Sequence, residues 1–402
     1  MKVYISNMEL ISILKEICRK TNIKCYIVGG FIRDFFLGVK NYDIDITIEG
    51  NGIEFAKILN KYINGTLKVY DKFKTASITA ENYIIDIASA RCEYYKYPAA
   101  LPVVKFSDIK EDIARRDFTI NMLAYDVLND AIIDYYNGLK DLQNKVIRVI
   151  NDKSFIDDPT RIFRALRYSG RYGFKIDDKT DILIKKAVNG GFIKKLSNDR
   201  IINEIFLFLK ENKTDLIIES MISYGIQKEI FDNIKLNIKK INSTINNGDI
   251  ILYRFLLLFY NIDDKGIEYL LNRYNLRRKY IEALKELLLT KNNLCFLKDN
   301  CDNIYIYNTF KNIKYEVLMA INISEDVTIK KIINHYINHL SHIKLTVNGN
   351  DIRNAGLNPG PVYSIILQKI FNAKVQGKIK NHDEELNLLK LYVNKVKKGE
   401  LI

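Results

Sequence analysis

Residues 26–50 read YIVGGFIRDFFLGVKNYDIDITIEG, and the order of features in this stretch decides the fold of the N-terminal part. A β-branched run, Lys24 to Val28, ends at Gly29 and Gly30. FIRDFFLG then reads as a helix start, and a second strand, Ile44 to Ile48, carries Asp43 and Asp45 at its beginning. Two consecutive glycines leave backbone N–H groups open to a triphosphate at a helix start, and Arg33 in the first turn adds charge-assisted contacts. Asp43 and Asp45, two positions apart on a strand, emerge on one face, where paired carboxylates repel unless a cation lies between them. Mg²⁺ is the natural cation for such a pair. In two-metal phosphoryl transfer one ion activates an attacking hydroxyl and the other grips the triphosphate. A diglycine alone is a common turn and a DxD alone a common surface pattern; in this order and spacing they point to nucleotidyl transfer.

Outward from this stretch, residues 8 to 21 carry Leu10, Ile13, Leu14 and Ile17 at helical spacing. Strand patterns follow at Thr66 to Tyr70, Thr75 to Thr79 and Tyr83 to Ala88, with Glu81 and Asn82 as turn formers before the last, so a mixed sheet is expected. Asp86, between Ile85 and Ile87, is a candidate third acid, but an edge-strand Asp exposed to water fits equally well, and it is not included among the site residues. Beyond about residue 150 the period is near 3.6, as in Arg161 to Tyr172, Arg200 to Lys210 and Tyr253 to Tyr260. The expected class is α+β, an N-terminal mixed-sheet head followed by an all-helical remainder, with junctions near 189–191, 242–248 and 348–360.

Two further segments carry chemistry. IKEDIARRDFTINMLAYD, residues 109–126, reads as helix-like; its Arg115 and Arg116 suit phosphate and Asp117 suits ribose hydroxyls, with a surface ion-pair cluster as the competing reading. In DDPTRIFRALRYSGRYGF, residues 157–174, Pro159 begins a helix and Asp158 is the N-cap candidate. Asp158, Arg161, Arg164 and Arg167 then share one half of that helix, while Ile162, Phe163 and Leu166 pack on the other. Such an arginine row calls for anions or acceptors, and both a triphosphate and a base edge qualify. RYNLRRKY, residues 273–280, reads either as a contact for RNA phosphates and bases or as a solvated helix end. His335, His339 and His342 lack the glutamate of a zinc-protease motif and read as ordinary helix residues.

At 402 residues the chain calls for two or more packed units, and 62 Lys and Arg against 48 Asp and Glu give a net charge of +14 that favours a polyanionic partner. No apolar run reaches the ~20 residues of a membrane helix, and the N-terminus is unlike a secretory signal, so a cytoplasmic location without membrane association is expected. The five cysteines form no CxxC pair and read as reduced thiols.

Together YIVGGFIRD…DID, EDIARRDFTIN, DDPTRIFRALRY and LSNDRIINEI (196–205) resemble the class II tRNA nucleotidyltransferase and bacterial poly(A) polymerase family over roughly the first half of the chain, and TVNGNDIRNAGLNPGPVYSIIL is more weakly similar to its C-terminal segment. The resemblance implies a catalytic head (1–150), a helical neck with the nucleotide-selecting helix (151–210), a body (211–320) and a tRNA-binding tail (321–402). It also implies template-free addition of CMP, AMP or both to the tRNA 3′ end, with ATP and CTP as substrates and no obligate protein partner. By position, Asp43 and Asp45 would be catalytic and bind Mg²⁺, and Gly30, Arg33 and Arg116 would hold the nucleotide. Asp158 and Arg161 would pair with the incoming base edge, supported by Arg164 and Arg167. Asp157 stands where the family often has Glu, and Met122 where it often has a small residue. EYYKYPAALPVVKF, residues 93–106, occupies the place of the family's flexible, nucleotide-switching loop, and its YPAALP wording is closer to A-adding members. AMP-only addition, poly(A) synthesis and a non-catalytic RNA-binding relative are the alternatives.

Overall fold

The computed structural model describes residues 8–71, 74–80, 83–297 and 301–400, so Glu81 and Asn82 lie outside the described residues. The chain divides into two compact units, Met1–Asn233 and Ile234–Ile402.

The first unit opens with α1 (Met8–Thr21), followed by β1 (Lys24–Val28), α2 (Gly30–Phe36), β2 (Asp43–Glu49) and α3 (Gly52–Ile63). Three strands then complete one side of a sheet, β3 (Thr66–Tyr70), β4 (Thr75–Thr79) and β5 (Ile84–Ser89). A separate antiparallel hairpin follows, β6 (Arg91–Tyr94) and β7 (Val103–Phe106), then α4 (Ile109–Ala114), β8 (Ala124–Asp126) and β9 (Ala131–Ile133). The seven-stranded sheet has the order β3-β4-β5-β2-β1-β8-β9, with β2 and β5 parallel and every other pair antiparallel, so it is mixed as expected. On β2, Ile44, Ile46 and Ile48 are 3%, 1% and 0% exposed, which commits one face of the strand to the core and turns Asp43, Asp45 and Thr47 to the other. β5 repeats the pattern: Ile85 and Ile87 are buried and Asp86 is exposed. Asn51 starts α3 by accepting from the backbone N–H groups of Ile53 and Glu54.

Two expectations are corrected here. The helix at 109–126 ends at Ala114: Arg115 to Asp117 form a turn, Thr119–Asn121 a single 3₁₀ turn, and the segment finishes as β8. The region after the head is also not purely helical, because Lys175–Ile176 pairs in parallel with Val146–Ile147 as a two-residue ladder.

The helices that follow the sheet in the first unit include α5 (Gly138–Gln143), α6 (Ser154–Asp157), α7 (Thr160–Tyr172), α8 (Asp178–Asn189), α9 (Asn198–Leu209) and α10 (Thr214–Ser223). In α7 Ile162, Phe163, Ala165 and Leu166 are wholly buried, and Phe163 meets Phe208 of α9 with ring centroids 5.9 Å apart.

Among the described residues the second unit contains helices and connecting turns but no strand. Ile250–Leu258 is buried almost all round, from Leu252 to Leu258, and the last helices, Val362–Val375 and His382–Lys397, share a core of Val347, Ile352, Ile366, Ile370, Leu389 and Val393. Asn348 and Asp351 form a reciprocal capping box within the C-terminal motif. In RYNLRRKY the aromatic residues are core, Tyr274 at 2% and Tyr280 at 5% exposure, so neither ring is open to a base, while Arg277 and Arg278 are exposed. No described helix is long and apolar enough to cross a membrane.

α7 and α10 approach so closely at Gly170 that a Cβ there would sit 2.3 Å from Cγ1 of Ile217. Gly170→Ala therefore sets a helix-propensity gain of about 1 kcal/mol against overpacking of about 1–3 kcal/mol. Urea unfolding should show net destabilisation in the native background and a reversal of sign when Ile217 is also changed to Ala; the same sign in both backgrounds would refute the close approach.

Candidate nucleotide and metal site

α2 follows β1 through Gly29, whose φ of 70° lies in the left-handed region open to glycine, and no side chain caps the helix. A Cβ at Gly29 would stand 2.6 Å from Nη1 of Arg116 and 3.5 Å from Oδ2 of Asp45, so the turn, the arginine and the carboxylate meet at one point. At Gly30 the nearest atom would be Nη2 of Arg33 at 3.5 Å, an ordinary contact. The stringent glycine is therefore Gly29, although Gly30 is the one assigned from sequence. Both belong to the quoted diglycine; what sequence lacks is the φ angle.

A cavity of about 950 Å³ opens at this point. Gly30, Arg33, Asp45, Arg116, Asp158, Arg161 and Arg164 line it, whereas Asp43 and Arg167 do not. Asp86, left out of the site from sequence, lines it too and stands directly opposite Asp45 in the β2–β5 register. Burial raises the Asp45 carboxyl above its ordinary range; Asp86 and Asp43 push it further, and Arg116 and Arg33 oppose. Asp43 sits one pleat away at the exposed start of β2.

Each arginine is held by a partner. Arg33 is 4% exposed, donates to Asp34 at 2.8 Å and to Asn121 at 2.7 Å, and packs between the rings of Tyr168 and Tyr172 at 5.2 and 5.0 Å. Arg116 donates to Oδ2 of Asp112 at 3.0 Å. Asp112, itself fully buried, also accepts from Arg115; burial would raise its carboxyl, but Arg116 and Arg115 outweigh burial and hold it below the usual carboxylate range. Arg161 donates to Oγ of Ser154 at 2.8 Å and to the carbonyl oxygen of Arg115 at 2.7 Å. Arg164 pairs with Asp117 at 2.6 Å, and Arg167 lies buried against Glu204 at 3.6 Å. The arginine row thus meets anions of the chain itself in its second half. Asp117 is not a surface ion pair: it is buried against Arg164 and still lines the cavity.

Asp158 uses one oxygen for structure. Its Oδ1 accepts from the backbone N–H of Thr160 at 3.1 Å, from the Thr160 hydroxyl at 2.6 Å and from Nη2 of Arg200 at 2.6 Å. Oδ2 has no hydrogen-bond donor among the described residues, which leaves it open for a ligand in the cavity. Arg200 also donates to the carbonyl oxygen of Ala99 at 3.3 Å, and the Ala99 N–H donates to the carbonyl oxygen of Asp157, so the tip of the β6–β7 hairpin is tied to α9 and to the end of α6. At its base Glu93 pairs with Arg115 at 2.8 Å. The segment 93–106 is accordingly an anchored hairpin, and its Glu93, Tyr95 and Pro102 line the cavity. Arg200 and Glu204 were legible only as parts of LSNDRIINEI; their i, i+4 spacing on α9 was the signal.

Three family models match consecutive parts of the chain: a Poly A polymerase head domain at residues 25–148, an RNA and SrmB-binding site of polymerase A at 173–237, and a tRNA nucleotidyltransferase domain 2 at 249–389. A solved CCA-adding enzyme in an apo form is 30% identical, with a TM-score of 0.81 and 96% of both chains covered. The chain belongs to the tRNA nucleotidyltransferase and poly(A) polymerase family. A Thermotoga maritima CCA-adding enzyme complexed with tRNA is 29% identical, with a TM-score of 0.77 and 96% of both chains covered. Among curated relatives of this nucleotidyltransferase family, an A-adding tRNA nucleotidyltransferase of Geobacter sulfurreducens is 32% identical over 93% of this chain, which spans less than half, 46%, of that relative.

Two outcomes are expected from this geometry. Gly29→Ala should weaken nucleotide binding measured by equilibrium titration by about tenfold or more, while Gly30→Ala changes it by less than about twofold, since only the first forces an L-residue into a conformation costing about 1–2 kcal/mol. Equal losses would refute the assignment. Burial would raise Asp117, but Arg164 outweighs it and holds the carboxyl below its ordinary value, so the pair's stability is full above about pH 4 and is lost as pH falls through the lowered value. Arg164→Ala should cost about 2–3 kcal/mol in urea unfolding at pH 7, less than the ~3–5 of a fully buried pair because Arg164 keeps 36% of its side chain exposed. Adding Asp117→Asn should recover most of it.

Proposed function

We propose that this protein is a tRNA nucleotidyltransferase that adds CMP, AMP or both to the 3′ end of tRNA without a nucleic-acid template, its parts being a head (1–150), neck (151–210), body (211–320) and tail (321–402). The observation that carries the reading is the Asp45–Asp86 pair, in register on adjacent strands beside Gly29, in a cavity also lined by Asp158 and Arg161.

A magnesium ion suits this donor set. Among the described residues no three acidic, histidine or cysteine side chains form a closed cage. Mg²⁺ is ordinarily held by one or two carboxylates, with water and substrate phosphates completing its shell. Asp45 and Asp86, with Asp43 one pleat away, would hold it; the Asp45 carboxyl is raised first by burial and further by Asp86 and Asp43. When bound, the ion lowers the pKa of the attacking hydroxyl and neutralises charge on the leaving pyrophosphate.

The chain's own groups do the rest. Gly29 and Gly30 admit the triphosphate to the backbone N–H groups, and Arg33 and Arg116 supply positive charge around it. Oδ2 of Asp158 accepts from the exocyclic amine that cytosine and adenine share, and the remaining N–H donors of Arg161 reach a ring nitrogen or carbonyl. Guanine and uracil lack that pattern. Arg164 steadies the wall through Asp117, and Arg167 steadies it from outside the cavity through Glu204. The net charge of +14 suits the RNA partner.

A second reading, AMP addition alone, is favoured by the YPAALP wording of the hairpin and by the A-adding Geobacter relative. Incubating tRNAs that end at the discriminator base, at C or at CC with Mg²⁺ and either labelled CTP or labelled ATP separates the two, since any CMP incorporation excludes AMP-only addition. Asp45→Asn and Asp43→Ala should each lower kcat at least about 100-fold on all three tRNAs. Asp158→Asn should instead relax the choice of nucleotide. Full activity in the Asp45 variant would remove the metal-site reading.

A further inference from the structure

The cavity extends beyond what a nucleoside triphosphate needs. Its second wall is formed by Tyr70, Thr75 and Ser77, on the two strands at the β3 edge of the sheet. The strand register aligns these residues with the carboxylates. One row across the sheet runs Asp45, Asp86, Ser77, Lys68, and the next runs Thr47, Ala88, Thr75, Tyr70. With about 4.8 Å between strands, Ser77 lies about 10 Å and Lys68 about 14 Å from Asp45 along the sheet.

The direction of this extension is set by the reaction. Gly29, Gly30 and Arg33 lie on the β1 side of Asp45. In phosphoryl transfer the attacking and leaving oxygens are roughly in line. The 3′-hydroxyl oxygen bonds to the α-phosphorus as the bond to the pyrophosphate oxygen breaks, and the hydroxyl proton passes to Asp86 or to water. With pyrophosphate leaving toward β1, the hydroxyl arrives from the side of β5, β4 and β3.

We propose that Lys68, Tyr70, Thr75 and Ser77 form the seat of the 3′-terminal nucleotide of the acceptor RNA strand. The assignment rests on the proposed transfer reaction. The chemistry of the four residues matches that occupant. The Thr75 and Ser77 hydroxyls have no hydrogen-bond partner among the described residues and line the cavity, where a ribose 2′-hydroxyl or phosphate oxygen supplies one. Tyr70, 48% exposed, offers a ring face on which any base stacks. Lys68 is exposed, has no ion pair among the described residues, and lies at the outer end of its row, where the backbone phosphate of a strand entering from the edge passes.

The test uses the full chain with tRNA ending in CC. In the Lys68→Ala/Tyr70→Ala double variant, kcat/KM for tRNA should fall about tenfold, the scale of one lost base stack, while the KM for ATP changes less than about twofold; Tyr70→Phe should restore most of the loss in the Tyr70→Ala single variant. An unchanged kcat/KM for tRNA, or a shift in the KM for ATP alone, overturns the assignment. An independent readout does not require turnover: tRNA carrying 4-thiouridine at its 3′ terminus should photocross-link within residues 68–77, and cross-links confined to other segments overturn it. Absence of transfer by the unmodified protein with cross-links at 68–77 sinks the reaction and leaves the seat standing; transfer without those cross-links does the reverse.

Discussion

Like charges on adjacent strands are the constraint around which the first unit is built. Isoleucines at alternate positions of β2 and β5 fix the register and the facing of both strands, and that register sets Asp45 beside Asp86 with Asp43 close behind. Such a cluster raises the free energy of the fold, and the surrounding arginines limit the cost. Arg116 reaches the cluster from the turn after α4, and Arg33 from α2. Each is itself held by a further acid, Asp112 and Asp34 respectively. The site is a nested set of ion pairs whose innermost acids have no permanent counterion, and that residual repulsion is available to a divalent cation.

Much of this was readable from residues 26–50, because the signals there are local. Alternation on a strand, two glycines at a strand end and apolar spacing on a helix all act within a few residues, and the strands at 24–28, 66–70 and 75–79 appear at the expected positions. The helical run expected at 109–126 failed for a tertiary reason. Asp117 is drawn into a buried pair with Arg164, and Phe118 is fully buried, so the chain turns after Ala114 despite its helical propensity. Local preference lost to a contact 47 residues away.

The arginines of α7 show the same limit in another form. Their spacing placed them on one half of the helix, but spacing does not say what each guanidinium meets. Arg161 remains in the cavity wall with donors to spare, Arg164 is engaged by Asp117, and Arg167 faces Glu204 outside the cavity. Asp86 was undecidable in sequence because exposure to bulk water and exposure to a cavity give the same alternating pattern; the strand register distinguishes them.

The two-residue ladder between 146–147 and 175–176 has a consequence for how the first unit is assembled. With the bonds from Arg164 to Asp117 and from Tyr172 to Asp34, it stitches the sheet to the helices that follow. A fragment cut after the last strand of the head would strand a buried carboxylate without its cation and strip both aromatic faces, Tyr168 and Tyr172, from Arg33. The seven-stranded sheet of this chain is therefore not a portable cassette; α7 is also part of what holds its buried charges in place.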